Sequence, residues 1–287
     1  MNAPAELLQQ GMYIMDPSRY HADPAPLPSL SNSLIKHLLG KTPRHAWMMQ
    51  PRLNPQYEPR DDKAAFDLGT AAHSLFLEGI NKAQRLDFQD WRTGEAKEAR
   101  ALARAEGLIP MLPDQYAAVI AMNEAARDYI ASTPLRGILE RGKPEQTFIW
   151  KERHGIWCRA RTDWMTDDFG IILDYKTTSA DGPGDFCRNK LTSNGYDTQA
   201  LFYPRGVHAV TGKRPHFMFL VQETAAPYLC YLVEPAESMA ELATSKINRA
   251  LTLWGDCVGS NRWPGYPTSV HQAEATAWAL KEEEAAA

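Results

Sequence analysis

Cysteine is scarce in this sequence of 287 residues, with four copies at positions 158, 187, 230 and 257. No two of them form a C-x-x-C pair, so their spacing indicates neither a zinc knuckle nor an iron–sulfur cluster. We therefore predict reduced thiols, mostly in the core, and no iron–sulfur cofactor.

Long apolar runs and an excess of positive charge are also missing. No stretch approaches the roughly 18 apolar residues that a membrane helix needs. The N-terminus MNAPAELLQQ lacks the basic-then-apolar order of a signal peptide. These absences favour a cytoplasmic protein with no membrane partner. Because the formal net charge is −4, the molecule does not attract nucleic acid as a whole, and any such site has to be local.

The composition that remains is that of a globular protein, with 44% hydrophobic and 23% charged residues. Prolines at positions 17, 24, 26 and 28 predict an extended, irregular N-terminal arm over residues 1–30. A single domain over residues 31–265 and a polar C-terminal tail over residues 266–287 are predicted to follow.

Helical and strand-like patterns alternate along that domain. The predicted helices span residues 31–40, 63–78, 95–106, 114–131, 184–192, 197–210 and 236–256. The predicted strands span residues 145–150, 155–165, 171–176, 216–223 and 228–234. This order predicts one α/β domain with a mixed β-sheet flanked by helices.

The residues that suggest chemistry lie in the second and third of these strands. If residues 156–165 and 171–176 form a hairpin that turns at Asp168 and Phe169, Asp163 and Asp174 face each other across the ladder. Because side chains alternate along a strand, Lys176 projects on the same side as Asp174, about 6.6 Å further along at roughly 3.3 Å per residue. The sequence therefore predicts two carboxylates and one ammonium group in a cluster.

Two opposed carboxylates destabilise a sheet unless a positive charge neutralises them. Hard oxygen ligands favour Mg²⁺, with Mn²⁺ as a substitute, over zinc. Lys176 beside such a metal could lower the pKa of an attacking water or stabilise charge that develops on phosphorus. This combination suggests phosphodiester hydrolysis.

The D/E-x-K pattern alone is weak evidence, because it occurs at residues 61–63, 95–97 and 174–176, and a surface ion pair explains the last equally well. Gln199 and Tyr203 share a helix face, where they could assist at a site or simply lie on a helix surface. His73, on a helix near Glu78, could bind a metal or serve in packing. Each of these residues proves little by itself.

Arginines can supply local contact with the phosphates of a nucleic acid. Arg159 and Arg161 fall on the same strand face as Asp163, so we predict that both line the cleft beside the metal. The other basic groups, at Lys97, Arg100, Arg104, Lys213 and Arg214, are better explained as solvated surface.

Taken together, the motifs have a familiar order: Gly69-Thr70-Ala71-Ala72-His73, Asp163, Asp174-Tyr175-Lys176 and Gln199-x-x-x-Tyr203. From about Leu30 to Leu232 the chain resembles the PD-(D/E)XK nuclease superfamily, and within it the phage and prophage exodeoxyribonucleases similar to the RecE nuclease domain. Two stretches are similar to that subgroup in particular, Leu30-Ser31-Asn32-Ser33 and Asp174-Tyr175-Lys176-Thr177-Thr178. The sequence departs from the pattern at Thr162, which replaces the proline of the superfamily's name, and at Pro204, which follows Tyr203.

The resemblance implies a restriction-endonuclease-like core and a processive, metal-dependent 5′-to-3′ exonuclease. Such an enzyme degrades one strand of linear double-stranded DNA and leaves a 3′ strand for a single-strand annealing protein. It implies metal binding at His73, Asp163, Asp174 and the carbonyl of Tyr175, activation of the nucleophile by Lys176, and assistance from Gln199 and Tyr203. It also implies a homo-oligomeric ring, encoded by a phage or prophage and working in the cytoplasm of a bacterial host.

Two alternatives stay open at this stage. One is an endonuclease or repair-type nuclease of the same superfamily with different polarity. The other is a non-catalytic DNA-binding protein that retains the fold, although such proteins usually lose an acidic residue or the lysine, and here every position is filled.

Overall fold

The computed structural model describes residues 6–58, 67–180 and 182–286 of the chain. The start of the helix predicted from Lys63, and the first D/E-x-K pattern at residues 61–63, lie outside these residues. Within them, no helix combines the length and the apolar character needed to cross a membrane.

Eight strands are described. They are β1 (Gly11–Ile14), β2 (Ala83–Arg85), β3 (Ile109–Met111), β4 (Gly142–Lys151), β5 (Trp157–Thr166), β6 (Ile171–Thr178), β7 (His216–Glu223) and β8 (Cys230–Val233). Six of them form one sheet in the order β1-β4-β5-β6-β7-β8, while β2 and β3 form a separate parallel pair. In the large sheet β6 and β7 are parallel and the other neighbours antiparallel. The predicted mixed sheet is therefore confirmed.

The α-helices of the structure include a counterpart of each of the seven predicted helices, together with helices at residues 17–21 and 277–286, where none is predicted. They are α1 (Pro17–His21), α2 (Asn32–Gly40), α3 (Pro43–Met48), α4 (Asp67–His73), α5 (Gly94–Ala105), α6 (Pro113–Ser132), α7 (Gly182–Asp185), α8 (Leu191–Ser193), α9 (Tyr196–Thr211), α10 (Glu237–Ser260) and α11 (Ala277–Ala286). Two π-helical turns, Ser74–Glu78 and Phe186–Lys190, extend α4 and join α7 to α8. In α9 the helix continues through Pro204 to Thr211.

The sheet separates two apolar clusters, because side chains alternate along each strand. On one face Ile172 and Phe219 pack with residues of α2, α9 and α10. On the other face Leu173 and Tyr175 pack with residues of α4 and α6. Asp174, which lies between Leu173 and Tyr175, therefore faces α9.

The N-terminal segment corrects one prediction. Residues 1–30 were expected to form an extended, irregular arm, but β1 pairs with β4 as an edge strand of the sheet, with Met12 opposite Phe148. Asp16 then accepts a hydrogen bond from the backbone N–H of Ser18 and caps α1, which has Pro17 in its first turn. Proline disfavours regular structure at most positions, whereas Pro17 occupies the first turn of α1, where proline favours a helix.

The close packing of α9 on the sheet leads to a stability prediction. A Cβ on Gly206 would lie 2.6 Å from the ring of Trp150, whereas a Cβ on Gly259, in α10, would meet nothing within 4 Å. Gly206→Ala should therefore lower the free energy of unfolding by about 1–3 kcal/mol through overpacking. Gly259→Ala should raise it by roughly 0.5–1 kcal/mol through helix propensity. Urea unfolding of both variants checks this, and equal effects would contradict the close contact.

Candidate active site

The centre of the site is where β5 and β6 stop pairing. The ladder pairs Met165 with Ile172 and Trp164 with Leu173, which is the register predicted from the turn. At the next position Asp163 leaves the ladder, and its Oδ2 accepts a hydrogen bond from the backbone N–H of Tyr175 at 3.1 Å. The two strands therefore open at the predicted pair of aspartates.

Asp163 and Asp174 meet at the ammonium group of Lys176. Lys176 Nζ forms an ion pair with Asp174 Oδ1 and lies 3.8 Å from Asp163 Oδ2. Asp174 is fully buried. The structure thus places both carboxylates around one cation, as expected from the alternation of side chains along β6.

His73 lies on the other side of Asp163. It ends α4, and its Nε2 is 3.3 Å from Asp163 Oδ2 and 4.0 Å from Glu145 Oε1, while its Nδ1 is 3.8 Å from Glu78 Oε1. The imidazole is therefore within reach of three carboxylates.

Glu145 is a member of the site that the sequence analysis did not single out. In the ladder between β4 and β5, Pro144 pairs with Trp164 and Gln146 with Thr162, so Glu145 is skipped opposite Asp163. Its φ of +56° marks a local distortion of β4. This distortion places an acidic side chain beside His73.

The helix α9 supplies two of the predicted residues. Gln199 donates a hydrogen bond from Nε2 to Asp174 Oδ2, so it fixes the orientation of that carboxylate. The ring of Tyr203 packs edge-on against Phe217, and burial, together with the negative charges of Asp174 and Asp163, raises the pKa of its phenol well above the ordinary value. Tyr196, at the start of α9, holds its ring 5.2 Å from Lys176 Nζ.

Tyr175 points away from this cluster, because side chains alternate along β6. Its hydroxyl donates to Gln222 Oε1 on the opposite face of the sheet. Its backbone N–H contacts Asp163, which brings the main chain of Tyr175 to the edge of the site. A role for its carbonyl as a metal ligand stays a prediction.

Burial and mutual charge shift the acidic groups in opposite directions. Burial and the charge of Asp163 raise the pKa of Asp174 to about 7, although Lys176 opposes this. Burial would also raise the pKa of Asp163, but the positive charges of Lys176 and His73 outweigh it and lower that pKa. Burial would lower the pKa of Lys176, yet Asp174 and Asp163 raise it. At neutral pH Lys176 is therefore an ammonium group.

His73 follows the same logic. Burial would lower its pKa, but the charge of Asp163 and hydrogen bonds to Asp163 and Glu78 raise it to about 10. The pKa of Glu78 is lowered, chiefly by its hydrogen bond to His73, whereas burial raises the pKa of Glu145. Without a metal, a proton on His73 neutralises part of the acidic cluster.

These residues fit a divalent metal. Ligand atoms of His73, Glu78 and Glu145 all lie within 4.8 Å of one another, and Asp163 is in contact with His73. One imidazole among several carboxylates is a donor set that suits Mg²⁺ or Mn²⁺. Repulsion among the carboxylates, relieved here by His73 and Lys176, would also be relieved by such an ion.

The two predicted DNA-binding arginines differ in their surroundings. Arg161 is half-buried; its Nε lies 2.6 Å from Glu145 Oε2, and the Tyr20 ring covers its guanidinium at 5.1 Å. Its Nη1 is buried and has no hydrogen-bond partner among the described residues. Arg161 therefore lies at the site, and its contact with DNA stays a prediction.

The prediction that Arg159 lines the cleft and contacts DNA is wrong. Arg159 is buried, and its Nη1 lies 3.1 Å from Asp23 Oδ1 and donates to the carbonyl and the hydroxyl of Ser29. Since an enclosed, paired guanidinium is not accessible to a phosphate, Arg159 stabilises the fold instead. The alternation along β5 was correct, but it could not reveal that the N-terminal segment covers this part of the strand.

The raised pKa of His73 gives a pH prediction for the metal-free protein. Because the native pKa of about 10 lies above the ordinary histidine value of 6.5, the native state holds this proton to higher pH than the unfolded chain does. Its stabilising contribution is complete below pH 6.5 and is lost as the pH rises through 10. Between pH 7 and 8.5 the free energy of unfolding should fall by about 2 kcal/mol.

This pH dependence can be measured by urea unfolding in the presence of a chelator. His73→Gln is the control, since it removes the titrating group and should remove most of the slope. An equal slope in the two proteins would contradict the assignment to His73.

Comparison with known proteins now defines the class. Residues 31–276 match the model of a family described as a PDDEXK-like domain of unknown function (DUF3799). The chain belongs to this family, and its sheet, flanked by helices and carrying Asp163, Asp174 and Lys176, is a PD-(D/E)XK fold. No curated protein matches the sequence.

Among solved structures, the chain is similar to one titled "putative exonuclease" from Eubacterium rectale. The TM-score is 0.56 at 15% identity, over 90% of this chain and 97% of that one. A second solved structure, of a phage related exonuclease from Haemophilus somnus 129PT, aligns with 82% of this chain and 96% of that chain at 11% identity. Its TM-score is 0.32, and nothing is argued from it. The first likeness supports the fold alone.

Proposed function

We propose that this protein is a Mg²⁺-dependent exodeoxyribonuclease that hydrolyses one strand of linear double-stranded DNA in the 5′-to-3′ direction. The observation that carries the proposal is the convergence of Asp163 and Asp174 on Lys176, with His73 in contact with Asp163. Two carboxylates, an ammonium group and an imidazole at the opening of a sheet suit hydrolysis of a phosphodiester.

The metal would be held by His73, Asp163, Asp174 and the carbonyl of Tyr175, with Glu145 and Glu78 as further acidic groups beside it. When bound, a divalent ion lowers the pKa of water and stabilises negative charge on phosphate oxygens. Mn²⁺ is expected to substitute for Mg²⁺, because both prefer oxygen ligands.

The remaining residues have distinct roles in this proposal. Lys176 stays charged at neutral pH and is placed to stabilise negative charge as it develops on the phosphate. Gln199 orients the Asp174 carboxylate. Tyr203 assists at the same site from the next turn of α9, and Arg161, which is half-buried at the edge of the site, contacts the DNA backbone.

The polarity and the biological setting rest on the resemblance to RecE-like exonucleases. The similar Eubacterium rectale protein, named a putative exonuclease, supports exonuclease activity in general. We infer that the products are 3′ single-stranded tails used by a single-strand annealing protein in recombination. We further infer a homo-oligomeric ring on DNA ends, and a phage- or prophage-encoded protein in the cytoplasm of a bacterial host.

Digestion of end-labelled linear duplex DNA tests the proposal. We expect loss of the strand with a 5′-phosphate in Mg²⁺ or Mn²⁺, slower loss of dephosphorylated ends, and survival of covalently closed circular DNA. Cleavage of circles would favour an endonuclease, and release of label from the 3′ end first would reverse the polarity. No hydrolysis in either metal would favour a non-catalytic DNA-binding protein of this fold.

A further inference from the structure

A cavity of about 510 Å³ lies beside the N-terminal end of α9, between α2, residues 192–198 and α10. Its walls are tied together by Asn32, which donates from Nδ2 to the carbonyl of Gly195 at 3.1 Å and accepts from the hydroxyl of Thr198 at 2.8 Å. The stem of Lys36 packs against Gly195. These contacts hold the walls of the cavity together, and the exposed residues Lys36, Lys41 and Arg249 in its lining leave it open to solvent.

Positive charge is concentrated around this cavity. Lys36, Lys41 and Arg249 line it, and none of these three has a carboxylate within ion-pair distance in the part of the chain that the structure describes. The single acidic residue in the lining is Asp197, whose Oδ2 is paired with Lys246. Since the whole chain has a net charge of −4, three unpaired cations at one cavity point to an anionic ligand.

Asp197 adds a second, independent requirement. It is fully buried, and while Oδ2 is occupied by Lys246, Oδ1 has no hydrogen-bond partner among the described residues. A buried acceptor without a partner is unfavourable. A ligand that brings an N–H or O–H group would satisfy it, which inorganic phosphate or a simple diester does poorly.

The cavity also has apolar surface, and its lining includes the two residues that flank Tyr196 in the chain. Ile35 and Leu39 contribute side chains to the lining, where a base or sugar could pack. Tyr196, which directly precedes Asp197, holds its ring against Lys176 Nζ. Gly195 and Asp197, which line the cavity, are therefore the sequence neighbours of the residue that contacts the candidate catalytic lysine.

We propose that this cavity binds a nucleotide. The phosphate lies among Lys36, Lys41 and Arg249, the base or sugar donates a hydrogen bond to Asp197 Oδ1, and the apolar surface contacts the ring. The inference rests on the proposed nuclease function, because the nucleotide is either a unit of the DNA strand held near the cut or the mononucleotide released by it.

Calorimetric titration with deoxynucleoside 5′-monophosphates, in a chelator so that no metal contributes, tests the site. The wild type should bind at least one of the four more tightly than it binds inorganic phosphate or the free nucleoside. Lys36→Ala/Arg249→Ala should weaken that binding by about tenfold or more, since two charge-assisted contacts are lost. Lys213→Ala/Arg214→Ala removes two exposed cations elsewhere and should leave it unchanged.

A second measurement identifies the source of the nucleotide. If the cavity holds a strand of the substrate, the Lys36→Ala/Arg249→Ala variant should bind a single-stranded oligonucleotide with a salt slope lower by about 0.7, the contribution of the one phosphate held there. An unchanged slope with weakened mononucleotide binding assigns the cavity to the released product. Both results support nucleotide binding.

Three outcomes would overturn the inference: no mononucleotide binding, equal affinity for inorganic phosphate, or equal affinity in the wild type and the double variant. Its failure is distinct from that of the proposed function. A chain that digests linear DNA without binding mononucleotides overturns this inference alone, and one that binds mononucleotides but digests no DNA overturns the proposed function alone.

Discussion

Replacing Lys176 with methionine is expected to lower the rate of DNA hydrolysis by about 10²–10⁴-fold. The side chain keeps its length, but the ammonium group that contacts Asp174 Oδ1 and lies 3.8 Å from Asp163 Oδ2 is removed. Because the pKa of Lys176 is raised, the group lost is a fixed positive charge. DNA affinity should change little, since contacts along the DNA backbone remain.

Single-turnover digestion of end-labelled linear duplex measures this effect, and anisotropy without divalent ions measures affinity. Lys143→Met, an exposed lysine at the start of β4, is the matched control and should digest DNA at the wild-type rate. A Lys176→Met variant that keeps more than about a tenth of the activity would contradict the catalytic role.

Asp174→Asn separates metal binding from folding in the same site. The amide keeps the shape of the side chain but is a poor ligand for Mg²⁺ or Mn²⁺. Ligand binding to the native state stabilises it, so Mn²⁺ should raise the melting temperature of the wild type and raise that of Asp174→Asn much less. An equal shift in the two proteins would remove Asp174 from the metal site.

The central pair of aspartates was predictable from the sequence because it depends on local geometry. A turn at Asp168 and Phe169 fixes the register of β5 and β6, and the structure pairs Trp164 with Leu173 accordingly. The alternation along β6 then decides that Asp174 and Lys176 face α9 while Tyr175 does not. Short-range rules are sufficient wherever two neighbouring strands are joined by a short turn.

Glu145 and Glu78 could not be placed in this way, because both depend on distortions of regular structure. In a regular strand the alternation of side chains would decide where Glu145 points. In this structure Glu145 is instead skipped in the ladder and has a φ of +56°, which no sequence pattern indicates. Glu78 is five residues after His73, and residues five apart do not lie on the same face of an α-helix. The π-helical turn Ser74–Glu78 brings it within 3.8 Å of His73.

Arg159 shows a different limit. Its position on β5 was predicted correctly, yet its environment is set by Asp23 and Ser29, more than 120 residues earlier in the chain. These residues lie outside the family match at residues 31–276. Contacts between distant segments have no periodic signature. The sequence therefore predicts an arm, whereas Asp23 and Ser29 of the N-terminal segment pack against Arg159 on β5.

The ion pair between Asp23 and Arg159 has the largest expected effect on stability. Asp23 and Arg159 are both almost fully buried, and Asp23 also accepts hydrogen bonds from the backbone and hydroxyl of Ser29 and from Gln50. Asp23→Asn leaves the guanidinium of Arg159 without a counter-charge. It also places the NH₂ group of the asparagine against N–H and O–H groups that donate to the Asp23 carboxylate in the wild type. We expect the free energy of unfolding to fall by about 3–5 kcal/mol.

Asparagine is the informative replacement because Asp23 has a φ of +59°, a conformation that asparagine tolerates, so backbone strain adds nothing to the effect. Asp87→Asn, in an exposed pair with Arg85, is the control and should change stability by less than about 1 kcal/mol. Adding Arg159→Met to Asp23→Asn should recover part of the loss, since no unpaired charge is then buried. Urea unfolding of the wild type, Asp23→Asn, Arg159→Met and the double variant measures the coupling. Additive effects would show that the two charges do not stabilise each other.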